Sequence, residues 1–155
     1  GEIVVNVQGD EPLLPPENIN QLAHNLSSND VPMATLSVAI ESLEEFNDEN
    51  TVKVVSNLKN RALYFSRAPM PWPRGSTELP TNPLAQRHIG IYAYRVGFLA
   101  EFVQWQPTLL EQTEKLEQLR VLDNGFDIHV ATAAVNPPHG VDTMHDLARV
   151  RQHFL

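Results

Sequence analysis

The stretch that decides the fold stands near the start of the chain: Ile3-Val4-Val5-Asn6-Val7-Gln8-Gly9-Asp10-Glu11-Pro12. Its first five residues form a β-branched run that is typical of a strand buried on both faces, as in parallel sheets. The polar residues and proline that follow predict a turn at the carboxyl end of this strand. Because ligands of open α/β sheets bind beyond such strand ends, the stretch predicts a strand that leads into a binding site.

Strand-like and helix-like patterns alternate along the rest of the chain. Thr51–Val55 and Ala62–Ser66 flank a polar turn and predict an antiparallel hairpin. Ala68–Pro83 is rich in proline and predicts a long surface loop. Together the patterns indicate one α/β domain over residues 1–155 with a largely parallel sheet. The other predicted elements are a helix opening at Pro15, strands at Met33–Ile40, His88–Tyr94 and Ile128–Val135, and helices at Val96–Trp105, Thr108–Leu122 and Met144–His153.

Composition excludes several classes of function. The chain has 155 residues, 42% of them hydrophobic, no cysteine and a net charge of −8. Disulfides, thiolate metal sites and cysteine nucleophiles are excluded, and a reducing compartment is permitted. The negative net charge disfavours binding to nucleic acids. A few basic side chains directed into a pocket, or a bound metal ion, can still hold a small anion. No apolar run approaches the roughly 20 residues of a membrane-spanning helix.

Two carboxylates are placed for a shared hard cation. Asp10 follows the first predicted strand, and Asp142 follows the last one across a Gly140-Val141 turn. Magnesium prefers such oxygen ligands, and it can polarise a phosphoryl oxygen of a bound nucleotide. The spacing leaves an alternative open, in which Asp10 shapes a turn and Asp142 caps a helix.

Five segments carry a resemblance to a known family. They are Val4–Pro12, Ala62–Arg67, Arg87–Tyr92, Leu116–Arg120 and Gly140–Thr143. In the same order and with compatible gaps, they resemble the motifs of 3-deoxy-manno-octulosonate (Kdo) cytidylyltransferases, over essentially the whole chain. The resemblance implies a nucleotide-diphospho-sugar transferase (Rossmann-like) fold and a cytoplasmic enzyme of lipopolysaccharide biosynthesis. The implied reaction is CTP plus Kdo to CMP-Kdo plus pyrophosphate, with the anomeric hydroxyl attacking the α-phosphorus.

The resemblance also implies site residues. It places Mg²⁺ on Asp10 and Asp142, which would be both metal ligands and catalytic residues. It places sugar binding on six further residues, which are Gln8, Arg67, His88, Tyr92, Glu117 and Gln118.

Physical reasoning supports these sugar-binding residues unevenly. The Arg67 guanidinium matches a sugar carboxylate, against the alternative of a surface cation beside Pro69. His88 and Tyr92 lie four apart on a predicted strand and share a face, where two donors suit a polyol; satisfied half-buried residues are the alternative.

The remaining predicted residues are one pair and one strand-end amide. Glu117 and Gln118 are neighbours in a predicted helix, so their side chains should diverge by about 100°. One of them would then contact the sugar and the other would support it. The alternative is that both lie on a solvated face of the helix. Gln8 precedes a glycine at a strand end, where a ligand can approach closely.

The sequence departs from the family at its start. The family's loop of glycine, arginine and lysine around the CTP phosphates has no counterpart here, and Gly1 leads directly into a strand pattern. We therefore expect an excised fragment that lacks N-terminal strands, does not make CMP-Kdo alone, and self-associates, as a homodimer through the family's dimerisation region at roughly Lys53–Tyr94. The alternatives are a cytidylyltransferase for another acidic sugar such as sialic acid, and a non-catalytic sugar-binding or dimerisation fragment.

Overall fold

The computed structural model describes residues 2–8, 14–81 and 85–135. Within these ranges the chain alternates strands and short helices. None of the helices in the described ranges has the length and apolar character that crossing a membrane requires. In chain order the elements are β1 Ile3–Val7, α1 Pro16–Ser27, β2 Met33–Ala39, α2 Leu43–Asn47, β3 Lys53–Ser56, β4 Ala62–Ser66, β5 Gln86–Arg95, α3 Val96–Phe102, α4 Leu109–Glu114, α5 Leu119–Asp123 and β6 Ile128–Thr132.

One mixed sheet organises the chain around β5. Its order is β4-β3-β5-β2-β6, and β1 also pairs with β5. Strand β2 runs along one edge of β5, while the other edge pairs first with β3 and then with β1. The predicted hairpin is confirmed as β3–β4, and Asn57 fixes its turn by accepting hydrogen bonds from the backbone N–H groups of Lys59 and Arg61.

Strand direction corrects part of the predicted topology. The α/β class is confirmed, and β1, β2, β3 and β6 run in one direction. However, β5 runs against all three of its neighbours, so among the described ladders only β2–β6 is parallel. The hydrogen bonding is therefore mainly antiparallel where a largely parallel sheet was expected.

Helices cover both faces of the sheet. On one face Leu22 and Leu26 of α1 pack against Leu36, Ile89 and Ile91, all fully buried. On the other face an aromatic and aliphatic cluster joins the sheet to α3 and α5. Burial on both faces explains why five of the seven residues of β2 are apolar, since burying a large apolar side chain stabilises the fold by about 1.5–3 kcal/mol. The second cluster includes Met33, Phe65, Tyr92, Tyr94, Phe98, Phe102, Leu119 and Val130.

The helical segment after Thr108 is two helices where the sequence predicted one. Thr108 caps α4 through a capping box with Glu111. The helix then stops at Lys115, whose left-handed backbone (φ 56°) cannot continue a right-handed helix. Helix α5 begins four residues later, and Leu116 and Leu119 are nevertheless both buried as the apolar pattern required. The predicted helix Met144–His153 lies outside the described residues.

Candidate functional site

A small cavity lies between the sheet and the layer formed by α3 and α5. Its volume is about 50 Å³, enough for a few water molecules and too small for a whole sugar acid. Four of the six predicted sugar-binding residues meet at this cavity, although they come from the end of β1, from β5 and from the α4–α5 turn, which are far apart in the sequence. The cavity is lined by Asn6, Gln8, Met33, Tyr92, Tyr94, Phe102, Glu117 and Gln118.

Gln8 reaches the cavity because of a glycine on the neighbouring strand. The Gln8 backbone N–H donates to the Gly90 carbonyl at 2.9 Å, which extends the β1–β5 pairing by one residue. A Cβ on Gly90 would lie 2.3 Å from Oε1 and 3.2 Å from Cβ of Gln8. Gly90 therefore leaves the space in which the Gln8 side chain lies across β5. Sequence reasoning missed this role, although an isolated glycine inside a strand pattern is a signal of close approach.

Glu117 and Gln118 lie in the turn between α4 and α5, and Gln118 is the residue preceding α5. The expectation of one continuous helix through these two residues is therefore wrong, because α4 ends before Lys115, whose backbone is left-handed. Both side chains line the cavity, and Gln118 is buried. The turn thus brings an acidic acceptor and an amide to one place.

A buried ion pair fixes this turn. Arg120 donates to both carboxylate oxygens of Glu111, at 2.8 and 2.6 Å, and its guanidinium lies 5.0 Å from the centre of the Phe102 ring. The hydrogen bonds from Arg120 hold the pKa of Glu111 below its usual value. Because Glu111 also caps α4, one carboxylate joins the two short helices. The Thr108-x-x-Glu111 capping box was readable in the sequence, whereas the partner Arg120 was not.

Tyrosines of β5 form the floor of the cavity. Tyr92 stands with its ring centre 5.9 Å from that of Tyr94, which in turn stacks on Phe102 at 6.2 Å. Burial, reinforced by the negative charge of Glu117, raises the pKa of Tyr94 well above its usual value. The phenol of Tyr94 therefore stays protonated and uncharged at neutral pH.

His88 lies on the same sheet face as Tyr92, as predicted, with the two ring centres 5.3 Å apart. It is buried and does not line the small cavity. Burial, assisted by the positive charge of Arg87, lowers the pKa of His88 to about 3, so the ring is neutral at physiological pH. Its Nε2 lies 2.9 Å from the hydroxyl of Thr35 on β2, a contact that the sequence did not reveal.

Arg67 is anchored away from the cavity lining. Its Nε donates to the Glu114 carbonyl at 2.6 Å and its Nη1 to the Glu49 carbonyl at 3.0 Å. Its backbone N–H also donates to the Glu114 carboxylate. The half-buried guanidinium therefore ties β4 to the end of α4, and gripping a sugar carboxylate stays a prediction for it.

The predicted metal ligands Asp10 and Asp142 lie outside the described residues. Within the described ranges, no group of three or more His, Cys, Asp or Glu side chains could hold a metal ion. The strands that precede the two aspartates run in the same direction, so both end at the same edge of the sheet. Gln21 of α1 fixes the chain leaving β6, since its amide donates to the Thr132 carbonyl and accepts from the Ala134 N–H.

The mixed sheet, its helical layers and a polar cavity at the carboxyl end of β1 define a nucleotidyltransferase-like α/β protein. The chain belongs to the cytidylyltransferase family, whose model matches residues 1–128. This membership confirms the resemblance and the fold class that the sequence implied.

Two relatives and one solved structure show how far the likeness extends. The 3-deoxy-manno-octulosonate cytidylyltransferases of Histophilus somni (strain 2336) and Cellvibrio japonicus (strain Ueda107) are 54% and 57% identical, over 97% of this chain and 62% of each relative. A solved structure of CMP:2-keto-3-deoxy-manno-octonic acid synthetase complexed with CTP is 40% identical with a TM-score of 0.84, over 98% of this chain and 61% of that chain. The chain thus spans about three-fifths of the length of the proteins it matches.

Proposed function

We propose that this chain forms the sugar-binding part of a nucleotidyltransferase that joins the CMP group of CTP to Kdo and releases pyrophosphate. One observation carries the proposal: Gln8, Tyr92, Glu117 and Gln118, which are distant in sequence, line one cavity. Its support is the name shared by relatives 54% and 57% identical to this chain and the CTP complex of its structural neighbour.

The lining of the cavity suits one end of a polyhydroxylated acid. The amides of Gln8 and Gln118 each offer donors and an acceptor, and Glu117 offers acceptors for sugar hydroxyls. Because Gln118 is buried, a hydroxyl that binds it exchanges water for a fixed partner. The cavity would take one end of the sugar, and the anomeric hydroxyl would attack the α-phosphorus of CTP.

Mg²⁺ held by Asp10 and Asp142 belongs to the same proposal. Two strands separate β1 from β6, so their ends lie about 14 Å apart. Residues 136–142 can span up to roughly 23 Å, which is enough for Asp142 to approach the region after Gln8. When bound, the ion would neutralise phosphate charge as the new P–O bond forms.

Self-association is a further part of the proposal. The hairpin and the loop that follows it carry large apolar side chains in solvent: Leu58 is fully exposed, Leu63 is 61% exposed and Trp72 is 72% exposed. Large exposed apolar side chains in one region of the chain are consistent with a protein interface there. We propose that the chain forms a homodimer through this region. We also propose a cytoplasmic location, with which the absence of cysteine from the sequence is compatible. A monomer in sedimentation equilibrium at high protein concentration would contradict the dimer.

Calorimetric titration with sugars tests the proposed substrate. We expect Kdo to bind this chain at least about tenfold more tightly than N-acetylneuraminate, because the cavity residues are those implied for Kdo. Gln8→Ala should weaken Kdo binding, whereas Gln112→Ala on the exposed side of α4 serves as the matched control. Equal affinity for the two sugars would favour another acidic sugar as substrate.

A pyrophosphate-release assay with CTP, Kdo and Mg²⁺ tests the catalytic part. We expect Kdo binding without turnover by this chain alone, with the complete Cellvibrio japonicus relative as the reference. Dependence of Kdo affinity on Asp10 or Asp142, measured with asparagine variants, would distinguish an enzyme site from a plain carbohydrate-binding site. Turnover by this chain at the rate of the reference would refute the expectation.

A further inference from the structure

Thr35 is a fully buried hydroxyl with three polar neighbours. It lies in β2 at the point where the β2–β5 register shifts, between Thr35 and Leu36. Its Oγ1 is 2.6 Å from the Ile91 carbonyl, 3.3 Å from the Ile89 carbonyl and 2.9 Å from Nε2 of His88. The hydroxyl therefore lies within hydrogen-bond distance of both the β5 backbone and the imidazole ring.

The protons of this group can be assigned from chemistry. A hydroxyl carries one proton, and carbonyl oxygens only accept. The short contact to the Ile91 carbonyl therefore takes the Thr35 proton, and the Thr35 oxygen faces His88 as an acceptor. Nε2 of His88 must then carry the ring proton. In a neutral imidazole this leaves Nδ1 as a hydrogen-bond acceptor.

The ring is also held in place by its packing. Phe65 contacts it edge-on with ring centres 5.1 Å apart, and the Tyr92 ring is tilted against it with centres 5.3 Å apart. Along the same sheet face, Met33 and Tyr92 line the small cavity, while Ser37 and Gln86 line a second cavity of about 310 Å³. The Thr35–His88 pair therefore lies between the linings of the two cavities along this face, although His88 is itself buried and lines neither of them.

We propose that Thr35 is a positioning residue, which holds His88 in the Nε2–H tautomer so that Nδ1 accepts a hydrogen bond from a sugar hydroxyl. This inference rests on the proposed function for the identity of the ligand. It changes the expected role of His88, which was to act as a donor beside Tyr92. The ring instead selects a ligand that presents a hydrogen-bond donor.

Nitrogen NMR of the ligand-free protein tests the tautomer without any substrate. In a long-range ¹H–¹⁵N correlation spectrum, His88 is assigned by the signals lost in His88→Gln. We expect Nδ1 at the shift of an unprotonated ring nitrogen and Nε2 at that of a protonated one. Thr35→Ser should keep this pattern, and Thr35→Val should give a mixture of tautomers. A protonated Nδ1 in the unmodified chain overturns the inference, as does an unchanged pattern in Thr35→Val.

Titration with Kdo supplies the second readout. We expect Thr35→Val to bind Kdo about 3- to 10-fold more weakly, and Thr35→Ser to stay within about twofold of the unmodified chain. Equal affinity of Thr35→Val and the unmodified chain overturns the inference. If the unmodified chain does not bind Kdo, the proposed function fails, while the ring spectrum still decides the tautomer. The spectrum of the unmodified chain also decides it should Thr35→Val not fold.

Discussion

The floor and the wall of the small cavity are held in different ways. The floor, made by β1 and β5, rests on backbone pairing, with neutral aromatic rings packed over it. The wall is the turn between α4 and α5, two helices of six and five residues, and the Glu111–Arg120 pair joins these helices. Helices this short have little stability of their own. The floor should therefore tolerate loss of a single charge, and the wall should not.

The strongest test of this contrast removes the wall's cation. Arg120→Leu leaves the Glu111 carboxylate, only 11% exposed, without its bidentate partner. We expect the free energy of unfolding to fall by about 3 kcal/mol, since breaking one side of a buried pair leaves an uncompensated charge. Urea unfolding measures the loss.

The partner variant serves as the control for that loss. Glu111→Gln keeps an acceptor for the cap while removing the charge, and the double variant completes a cycle that isolates the pair. A loss of less than about 1 kcal/mol in Arg120→Leu would show that packing, and not the ion pair, holds the wall.

Acid should weaken the Glu111–Arg120 pair of the wall, because it protonates the Glu111 carboxylate. The pKa of Glu111 is lowered in the folded chain by its hydrogen bonds from Arg120, below an ordinary value of 4.5. The stabilisation is therefore present above pH 4.5 and is lost as the pH falls through the folded pKa. Unfolding measured from pH 6 downward should be less pH-dependent in Glu111→Gln than in the unmodified chain. An identical slope in both would mean that Glu111 contributes nothing to acid sensitivity.

A substitution in the floor should weaken Kdo binding without lowering the stability of the fold. In Gly90→Ala, the new Cβ displaces the Gln8 amide, which is free to move into solvent. We expect Kdo affinity to fall about tenfold while the free energy of unfolding changes by less than about 1 kcal/mol. Calorimetry and urea unfolding on the same sample separate the two effects.

Gly97→Ala is the matched control for this substitution. Gly97 lies in α3 with nothing within 4 Å of an added Cβ, so alanine there should stabilise the helix slightly and leave Kdo affinity unchanged. Unchanged Kdo affinity in Gly90→Ala would show that the Gln8 side chain does not contribute to Kdo binding.

The same contrast explains what the sequence could predict. Alternating residues on β5 place His88 and Tyr92 on one face, and this local rule held because a strand has a fixed period of two. The wall was predicted as a continuous helix because Leu109, Leu116 and Leu119 keep helical spacing. Nothing in that spacing marks Lys115, whose left-handed backbone ends α4, since lysine rarely adopts that conformation.

Long-range partners were beyond reach of the sequence for a different reason. Thr35 contacts His88 across 53 residues, and Glu111 meets Arg120 only because the chain turns between them. The direction of β5 was equally hidden, since antiparallel and parallel buried strands share the same apolar pattern. The family motifs named the residues at the cavity, but not the glycine, threonine and arginine that hold them there.

The smallest effect is expected from an ion pair at the start of β5, the strand that forms part of the floor. Arg87 on β5 has its Nε 3.1 Å from Oε1 of Glu45, a single contact between side chains 14% and 20% exposed. That Nε makes no hydrogen bond of good geometry among the described residues, so the attraction lacks the directed bonds of the wall pair. Glu45→Gln should therefore lower the free energy of unfolding by less than about 0.5 kcal/mol in urea. Glu44→Gln, its exposed neighbour on α2, is the control. A loss in Glu45→Gln as large as that in Arg120→Leu would mean that floor and wall both depend on charge, and the distinction between them would fail.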